Sequence, residues 1–277
     1  MAAREKPSYL RVFLTFAHNS LVRDMTFRAN FIIDCVASLS WVAIQLAFYL
    51  LIFKLSPSIG LEGGWGKYQF LIFLATTLFA NSLVGAFFMP NLSEFSELIR
   101  TGNLDFALLK PIDTQFLISF ARVEWSALSN FIFAFVVMIV ALFHLDAWPQ
   151  PVQWLLYPIY MLCGVAMLYA LMIALSSLSV WMGRNQNIYD FWFYITNFSR
   201  YPMEIYEGPI GTPLRKIFTF AIPILVVVNV PARILGQPLE AQNWPLAGFA
   251  VLVTIASLAG SRWLFKSALG SDRSASS

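Results

Sequence analysis

The side chains that most often carry enzyme chemistry are scarce in this sequence and lie far apart. The two histidines are His18 and His144, and the two cysteines are Cys35 and Cys163. They are not spaced for a zinc site, and the sequence contains neither His-Glu-x-x-His nor Gly-x-Ser-x-Gly, the patterns of metalloproteases and serine hydrolases. We therefore expect no catalytic residue and no metal ligand in this chain.

A glycine-rich stretch at residues 60–67 looks like a phosphate-binding loop but lacks two of its requirements. Such a loop needs a glycine five positions before its last glycine, and a serine or threonine after its lysine. Those positions hold Leu61 and Tyr68. We interpret the stretch as a flexible connector that does not bind ATP.

The composition predicts the solvent in which this chain folds. Of the 277 residues, 58% are apolar, and only 18 Lys and Arg and 15 Asp and Glu carry charge. Soluble domains are about half apolar and about a quarter charged, so a soluble globule of this composition could not cover its surface with polar groups. The net charge of +3 gives no field that would attract nucleic acid. Lipid is the expected solvent.

Uncharged windows predict helices that cross the membrane. A hydrocarbon core of about 30 Å requires about 20 helical residues. Five windows reach that length, and the predicted spans are 30–53, 68–89, 125–145, 158–181 and 244–264. We therefore predict an all-α integral membrane protein in which residues 30–265 form the transmembrane domain. A sixth span would place both termini on one side.

Two segments compete for the sixth crossing. The apolar part of residues 184–201 is too short to cross unaided, and residues 217–236 are long enough but contain Pro223 and Pro231. Short or broken apolar segments are more often re-entrant than spanning. We expect one of the two to cross and the other to enter and leave on the same side.

The basic residues predict the orientation. If the N-terminus is inside, most Lys and Arg fall in inner segments, and the two outer loops carry only Lys54 and Lys67. Because cytoplasmic loops are enriched in Lys and Arg, both termini, including the tail 266–277, are predicted to be cytoplasmic. Four basic residues instead favour 217–236 as a span. They are Arg200, Arg215, Lys216 and Arg233.

Residues 1–29 predict an amphipathic helix that does not span. Its apolar residues recur at helical spacing between charged ones and are Leu10, Phe13, Leu14, Ala17, Leu21 and Met25. This pattern is typical of a helix in the membrane interface, and packing on the protein's own body is a compatible alternative. Asp34, about one turn inside the next helix, is interpreted as an interfacial anchor, because water and the helix N-terminus stabilise its charge there.

A second amphipathic helix is predicted at residues 91–101, in the inner loop after the second span. Asn91 is a good N-cap and Gly102 a good C-terminal residue. One face carries Leu92, Phe95, Leu98 and Ile99, and the other carries Glu94, Glu97 and Arg100. Such a helix suits docking to a soluble partner, although it could equally cover the ends of neighbouring spans.

Two stretches resemble the permease subunits of type-2 ABC exporters, in particular a bacterial six-span subfamily. The first is Ile99-Arg-Thr-Gly-Asn-Leu-Asp-Phe-Ala-Leu-Leu-Lys-Pro111. The second is Tyr201-Pro-Met-Glu-Ile-Tyr206, followed by Ile222-Pro223 and Asn229-Val-Pro231. The resemblance extends over nearly the whole chain.

The resemblance implies a role for each segment outside the spans. The N-terminal helix would be the connecting helix along the inner leaflet, and helix 91–101 the coupling helix seated in a cleft of a cytoplasmic ATPase. The implied coupling residues are Leu92, Glu94, Phe95, Glu97, Leu98, Arg100, Gly102, Asp105, Lys110 and Pro111. Residues 213–236 would be re-entrant on the outer side, which makes 184–201 the fifth span. The implied outer-gate residues are Tyr201, Pro202, Tyr206, Pro223 and Pro231.

The resemblance also implies how the protein works. The chain would be a permease subunit in the bacterial plasma (inner) membrane, pairing with a second copy or a paralogue to enclose the substrate pathway. An ATPase dimer would bind ATP and gate that pathway, so the chain itself would be no enzyme and would need no cofactor. Two alternatives stay open: an ion-coupled secondary transporter and a non-transporting membrane anchor or assembly protein. The scarcity of intramembrane carboxylates counts against ion coupling.

Overall fold

Helices make up nearly all of the described chain. The computed structural model describes residues 8–60, 64–103, 109–182, 187–239 and 244–275. The helices are α1 (Tyr9–Thr26), α2 (Arg28–Leu55), α3 (Lys67–Phe87), α4 (Met89–Thr101), α5 (Thr114–Phe120), α6 (Ser129–Phe143), α7 (Pro151–Met182), α8 (Asn187–Asn197), α9 (Gly208–Lys216), α10 (Ile224–Gly236) and α11 (Trp244–Ala275). Short 3₁₀ turns lie at Trp125–Leu128, Phe198–Arg200 and Met203–Ile205, and a π-helical turn at Ile217–Ala221. Strands β1 (Ser58–Ile59) and β2 (Trp65–Gly66) pair antiparallel.

Among the described residues, five helices are long and apolar enough to cross a membrane. They are α2, α3, α6 with the turn before it, α7 and α11. These helices overlap the five uncharged windows, because a long run without charge can satisfy its backbone in lipid only as a helix. The chain is an all-α integral membrane protein, as the sequence predicted.

Helix α3 is the centre of the bundle. Every residue from Phe70 to Ala80 is buried, and α6, α7 and α10 pack around it. At 1.5 Å per residue, its 21 residues are about 30 Å long, which equals the thickness of a hydrocarbon core. We call the end of the bundle at which β1, β2 and the start of α3 lie the hairpin end. The opposite end, at which α3 leads into α4, is the α4 end.

Helix α7 runs from the hairpin end to the α4 end. Near its start, Gln153 donates a hydrogen bond to the carbonyl oxygen of Gln237, just beyond α10. The last residue of α10 lies against Ile72 in the first turns of α3, at the hairpin end. Farther along α7, Ile173 packs in a small buried cluster with Phe95 of α4. The chain therefore leaves α7 at the α4 end.

The chain returns to the hairpin end before Glu204, which accepts a hydrogen bond from the indole of Trp65 in β2. The 11-residue α8 and the turn at Phe198–Arg200 lie between these two points. By its length alone α8 is too short to span a membrane. Residues 183–186 lie outside the described part of the chain. A fifth span at 184–201 stays a prediction.

The segment after Glu204 leaves the hairpin end and comes back to it. Glu204 forms an ion pair with Arg233 in α10, and the backbone N–H of Met203 donates to Oδ1 of Asn229 at 2.9 Å. Between these contacts the helical path from α9 to α10 bends by 88° next to Pro223. A bent pair of helices can be a broken span or a re-entrant loop. Because the two ends of this one touch, the segment folds back on itself, as the predicted re-entrant loop would. Its course in a membrane stays a prediction, and we use the name re-entrant segment for residues 204–236.

Pro231 does not break the re-entrant segment, although the sequence predicted that it would. Helix α10 continues through it. A proline cannot donate the helical hydrogen bond to the residue four positions earlier, which here is Val227. The Val227 carbonyl faces α7 at Gly164, where any Cβ would collide with it. The glycine therefore allows α7 and α10 to pack closely at this carbonyl.

Helix α1 is packed on the α4 end by one face only. The ring of Phe13 contacts the rings of Phe87 and Phe120, and the hydroxyl of Ser20 accepts a hydrogen bond from the N–H of Val123. Of the six residues of the predicted apolar stripe, Phe13 and Ala17 are half-buried, whereas Leu10, Leu14, Leu21 and Met25 are exposed. Helix α1 therefore packs on the protein with one face and also carries exposed apolar residues that are suited to lipid.

Candidate functional site

Helix α4 begins earlier than the sequence predicted and ends as predicted. The predicted N-cap, Asn91, lies inside the helix, which starts at Met89. The reason is that Pro90 occupies the first turn, where a missing N–H leaves no intrahelical bond unmade. At the other end, Gly102 has φ 72°, a left-handed conformation that favours glycine, and it terminates the helix.

Instead of capping α4, Asn91 fastens the helix to the end of α5 and to the chain just after it. Its buried side-chain nitrogen lies 2.7 Å from the carbonyl oxygen of Arg122 and 3.1 Å from that of Ser119. Its Oδ1 accepts a hydrogen bond of 2.8 Å from the N–H of Arg122. A buried backbone group that loses its hydrogen-bond partner costs free energy. Because the Asn91 amide supplies these partners, it fixes the position of α4 relative to α5.

The two faces of α4 have different surroundings. Leu92 and Phe95 are buried, and the ring of Phe95 lies 5.9 Å from that of Phe265 in α11. Glu94 and Glu97 are exposed. The apolar face therefore covers the ends of the protein's own helices, and the acidic face is the one presented outward. Both uses predicted for this helix are compatible with the structure.

A groove of about 190 Å³ separates α4 from α5. Four of the ten predicted coupling residues line it, namely Glu94, Phe95, Leu98 and Lys110. Pro111 is exposed next to Lys110. Asp105 and the side chain of Arg100 lie outside what the structure describes. The groove has an acid on one side and a base on the other, so it could receive an apolar side chain flanked by polar ones.

A polar network that the sequence analysis missed lies beside this groove. Asp113 caps α5, because its Oδ1 accepts a 3.0 Å hydrogen bond from the N–H of Phe116. The same carboxylate accepts hydrogen bonds from both terminal nitrogens of Arg262 in α11, with nitrogen–oxygen distances of 2.6 and 3.1 Å. These hydrogen bonds from the guanidinium hold the pKa of Asp113 below its ordinary value. The pair therefore joins α5 to α11.

The network continues into α7. Arg262 also donates to the side-chain oxygen of Gln115 at 2.5 Å, and the Gln115 amide donates to the hydroxyl of Tyr169 in α7 at 2.9 Å. The Tyr169 hydroxyl lies 2.9 Å from that of Ser119. An Asp ahead of an apolar stretch is an N-cap signal that could have revealed Asp113. Its partner lies 149 positions away, and no sequence pattern indicates that contact.

The predicted outer-gate residues lie around the re-entrant segment at the hairpin end. Tyr201 is exposed and Pro202 is buried, whereas the Tyr206 hydroxyl donates to the carbonyl oxygen of Phe198 at 2.9 Å. Pro223 lies at the bend and Pro231 is buried within α10. Arg233, one of the four basic residues that favoured 217–236 as a span, forms an ion pair with Glu204. An arginine that is paired within the protein is weak evidence about the side of the membrane on which its segment lies.

The bend borders an open cavity between α7 and α11. Residues 221–224 line a cavity of about 300 Å³ with Met167, Ala170, Leu171, Ala174, Val227, Ser257, Gly260, Ser261 and Leu264. The wall that α7 and α11 contribute is rich in small side chains, and the lining contains no ionisable group. Among the described residues, no group of three or more His, Cys, Asp or Glu could hold a metal ion. The cavity is suited to an apolar or amphipathic molecule.

Comparison with known proteins gives a family for this chain. The family model described as ABC-2 family transporter protein matches residues 39–276, which covers all the spans except the first part of α2. No curated protein and no solved structure matches the chain. The match covers well over half of the chain, and the helical bundle has the apolar spans that a permease requires. This multi-pass membrane protein therefore belongs to the ABC-2 transporter family, as a membrane component of an ABC transporter.

Proposed function

We propose that the chain is the pathway-forming permease of an ATP-driven exporter, gated by a separate ATPase dimer that docks at the α4 end. The acidic face of α4, next to the groove shared with α5, is the observation that carries this proposal. The apolar face of the helix is already used inside the protein, so a partner would meet Glu94, Glu97 and the groove. ATP would be bound by the partner, and this chain would need no cofactor.

The proposed orientation has the α4 end and both termini in the cytoplasm of a bacterium, with the chain in its plasma membrane. The distribution of Lys and Arg supports this orientation. The fifth span would then be 184–201, because the chain between α7 and Glu204 passes from the α4 end to the hairpin end. The re-entrant segment would lie on the outer side, where its bend at Pro223 would cover the cavity as a lid.

A second permease, either another copy or a paralogue, would complete the pathway. Helix α2 has the surface for such a neighbour, because only 11% of its most apolar window is buried within this chain. Large apolar side chains cover its outer face, including Ile33, Trp41 and Ile44. Lipid would cover whatever part of this surface the neighbour leaves open.

The alternative of an ion-coupled carrier has less support. Asp34, the one acid well inside a predicted span, is exposed on the surface of α2 and does not line the cavity. Ion-coupled transporters place their carboxylates at the midplane, facing the pathway. A non-transporting anchor would have no use for a cavity bordered by a re-entrant segment.

Purification of the tagged chain from its native membranes tests the proposal. We expect an ABC ATPase to co-purify and to hydrolyse ATP. Reversing both charges, Glu94→Lys with Glu97→Lys, should reduce the bound ATPase about tenfold or more, since like charges at an interface cost more than the 1.4 kcal/mol that a factor of ten represents. Asp146→Lys, an exposed acid at the hairpin end, is the matched control and should bind normally. An unchanged complex after charge reversal would refute the docking site, and transport that persists without ATP in an ion gradient would favour the carrier.

A further inference from the structure

We propose that Asp113 and Arg262 are positioning residues that transmit movement of α4 and α5 to the cavity wall. This inference rests on the proposed function, because it assumes that a partner moves the α4 end. Its basis is the polar connection that runs from Asn91 in α4, through α5, to Arg262 in α11. The following observations favour transmission over a purely structural role.

The connection is continuous and directional. Asn91 binds the backbone at both Ser119, in α5, and Arg122, so α5 follows α4. At the other end of α5, Asp113 holds Arg262 through two parallel hydrogen bonds. Bidentate pairs fix direction as well as distance. A displacement of α4 would therefore pull on α11 at Arg262, about one turn before the direct contact of Phe95 with Phe265.

That point lies next to the cavity. Gly260 and Ser261, the two residues before Arg262, line the cavity of about 300 Å³, opposite the bend at residues 221–224. Because α11 is a continuous helix there, a shift at Arg262 must move these neighbours. The cavity wall facing the re-entrant bend is thus mechanically connected to the groove at which the partner is proposed to dock.

The pair is also placed where it can open and close. Both side chains are about one third exposed, and ion pairs at such positions contribute little to stability. Packing between α4 and α11 is supplied separately by the apolar contact of Phe95 with Phe265. Breaking the ion pair would therefore leave the bundle assembled while reducing the polar connection between Arg262 and α5 to the hydrogen bond with Gln115. A contact with these properties can serve as a two-state element, which coupling between sites requires.

Spin labels can report on this coupling in the complex with its ATPase. In a Cys35→Ser, Cys163→Ser background, labels at Phe220→Cys and Leu252→Cys, both exposed in the wild type, would measure the distance between the bend and α11. We expect ATP to shift the distance distribution in the otherwise wild-type chain. In Asp113→Asn and in Arg262→Gln, the shift in conformer ratio should fall about fivefold or more, since allosteric coupling spans 5- to 150-fold.

The controls separate transmission from stability and from docking. The swapped pair Asp113→Arg with Arg262→Asp should recover much of the shift, and Lys266→Gln, an exposed base one turn along α11, should behave as wild type. If a single variant does not assemble, Arg262→Lys keeps the charge, loses the bidentate geometry, and should show an intermediate shift. An undiminished shift in single variants that still bind the ATPase would overturn this inference alone. Failure of the wild-type chain to bind any ATPase would instead contradict the proposed function.

Discussion

Two ion pairs, one at each end of the bundle, attach a non-spanning segment to the spans, and they differ in their surroundings. At the hairpin end, Glu204 and Arg233 have side chains that are 7% and 17% exposed, and Trp65 donates a further hydrogen bond to Glu204. At the α4 end, Asp113 and Arg262 are 35% and 37% exposed. Both pairs join residues that are distant in sequence.

The difference in burial indicates a difference in use. Removing one member of a buried pair strands a charge in an apolar environment, so separating the two ends of this segment is costly. A half-exposed pair can exchange its partner for water at small cost. The hairpin end therefore has a buried clamp on the base of the re-entrant segment, and the α4 end has a contact that can be released at smaller cost.

The largest expected effect is at the buried pair. Glu204→Gln should lower the free energy of unfolding by about 3–5 kcal/mol, because Arg233 stays buried without its counter-charge. Thermal denaturation of the purified protein in detergent measures the loss. The double variant Glu204→Leu with Arg233→Met should be much more stable than the single one. A double variant as unstable as the single one would show that stranded charge is not the cause.

A smaller effect is expected where α7 meets α10 beneath the same clamp. Gly164→Ala should lower the free energy of unfolding by about 1–3 kcal/mol, because the new Cβ would collide with the Val227 carbonyl. The cost of the collision must exceed the gain of about 1 kcal/mol that comes from the higher helix propensity of Ala. Gly248→Ala in α11, where nothing surrounds the new methyl group, should be neutral or stabilising. Equal melting temperatures for the two variants would contradict the close approach.

The smallest effect on stability is expected at the half-exposed pair. Asp113→Asn should cost no more than about 1 kcal/mol at neutral pH. Because the pKa of Asp113 is lowered from 3.8 in the folded state, its contribution is fully present above that value and is lost as the pH falls through the lower folded pKa. The difference in melting temperature between wild type and Asp113→Asn should therefore shrink below about pH 4. A difference that stays constant down to pH 2 would mean that the charge of Asp113 is not involved.

Much of the site was predictable because it depends on local patterns. The apolar stripe of Leu92 and Phe95 and the acidic face of Glu94 and Glu97 follow from helical spacing, and Gly102 ends the helix for a reason visible in its own sequence. Asn91 was misinterpreted because the same residue type serves as an N-cap or as a bridge between segments. Only the position of Ser119 and Arg122 in space distinguishes the two roles.

The sequence by itself determined that the chain is a helical membrane protein with few ionisable groups in its spans, because long uncharged runs are stable in lipid only as helices. The tertiary structure decided that residues 204–236 turn back on themselves. This depends on the contact between Glu204 and Arg233, which a hydropathy pattern does not predict. The tertiary structure also decided that Arg262 faces Asp113. The role of a charged residue near the membrane depends on its partner. Partners that are far apart in sequence come into contact only when the chain is folded.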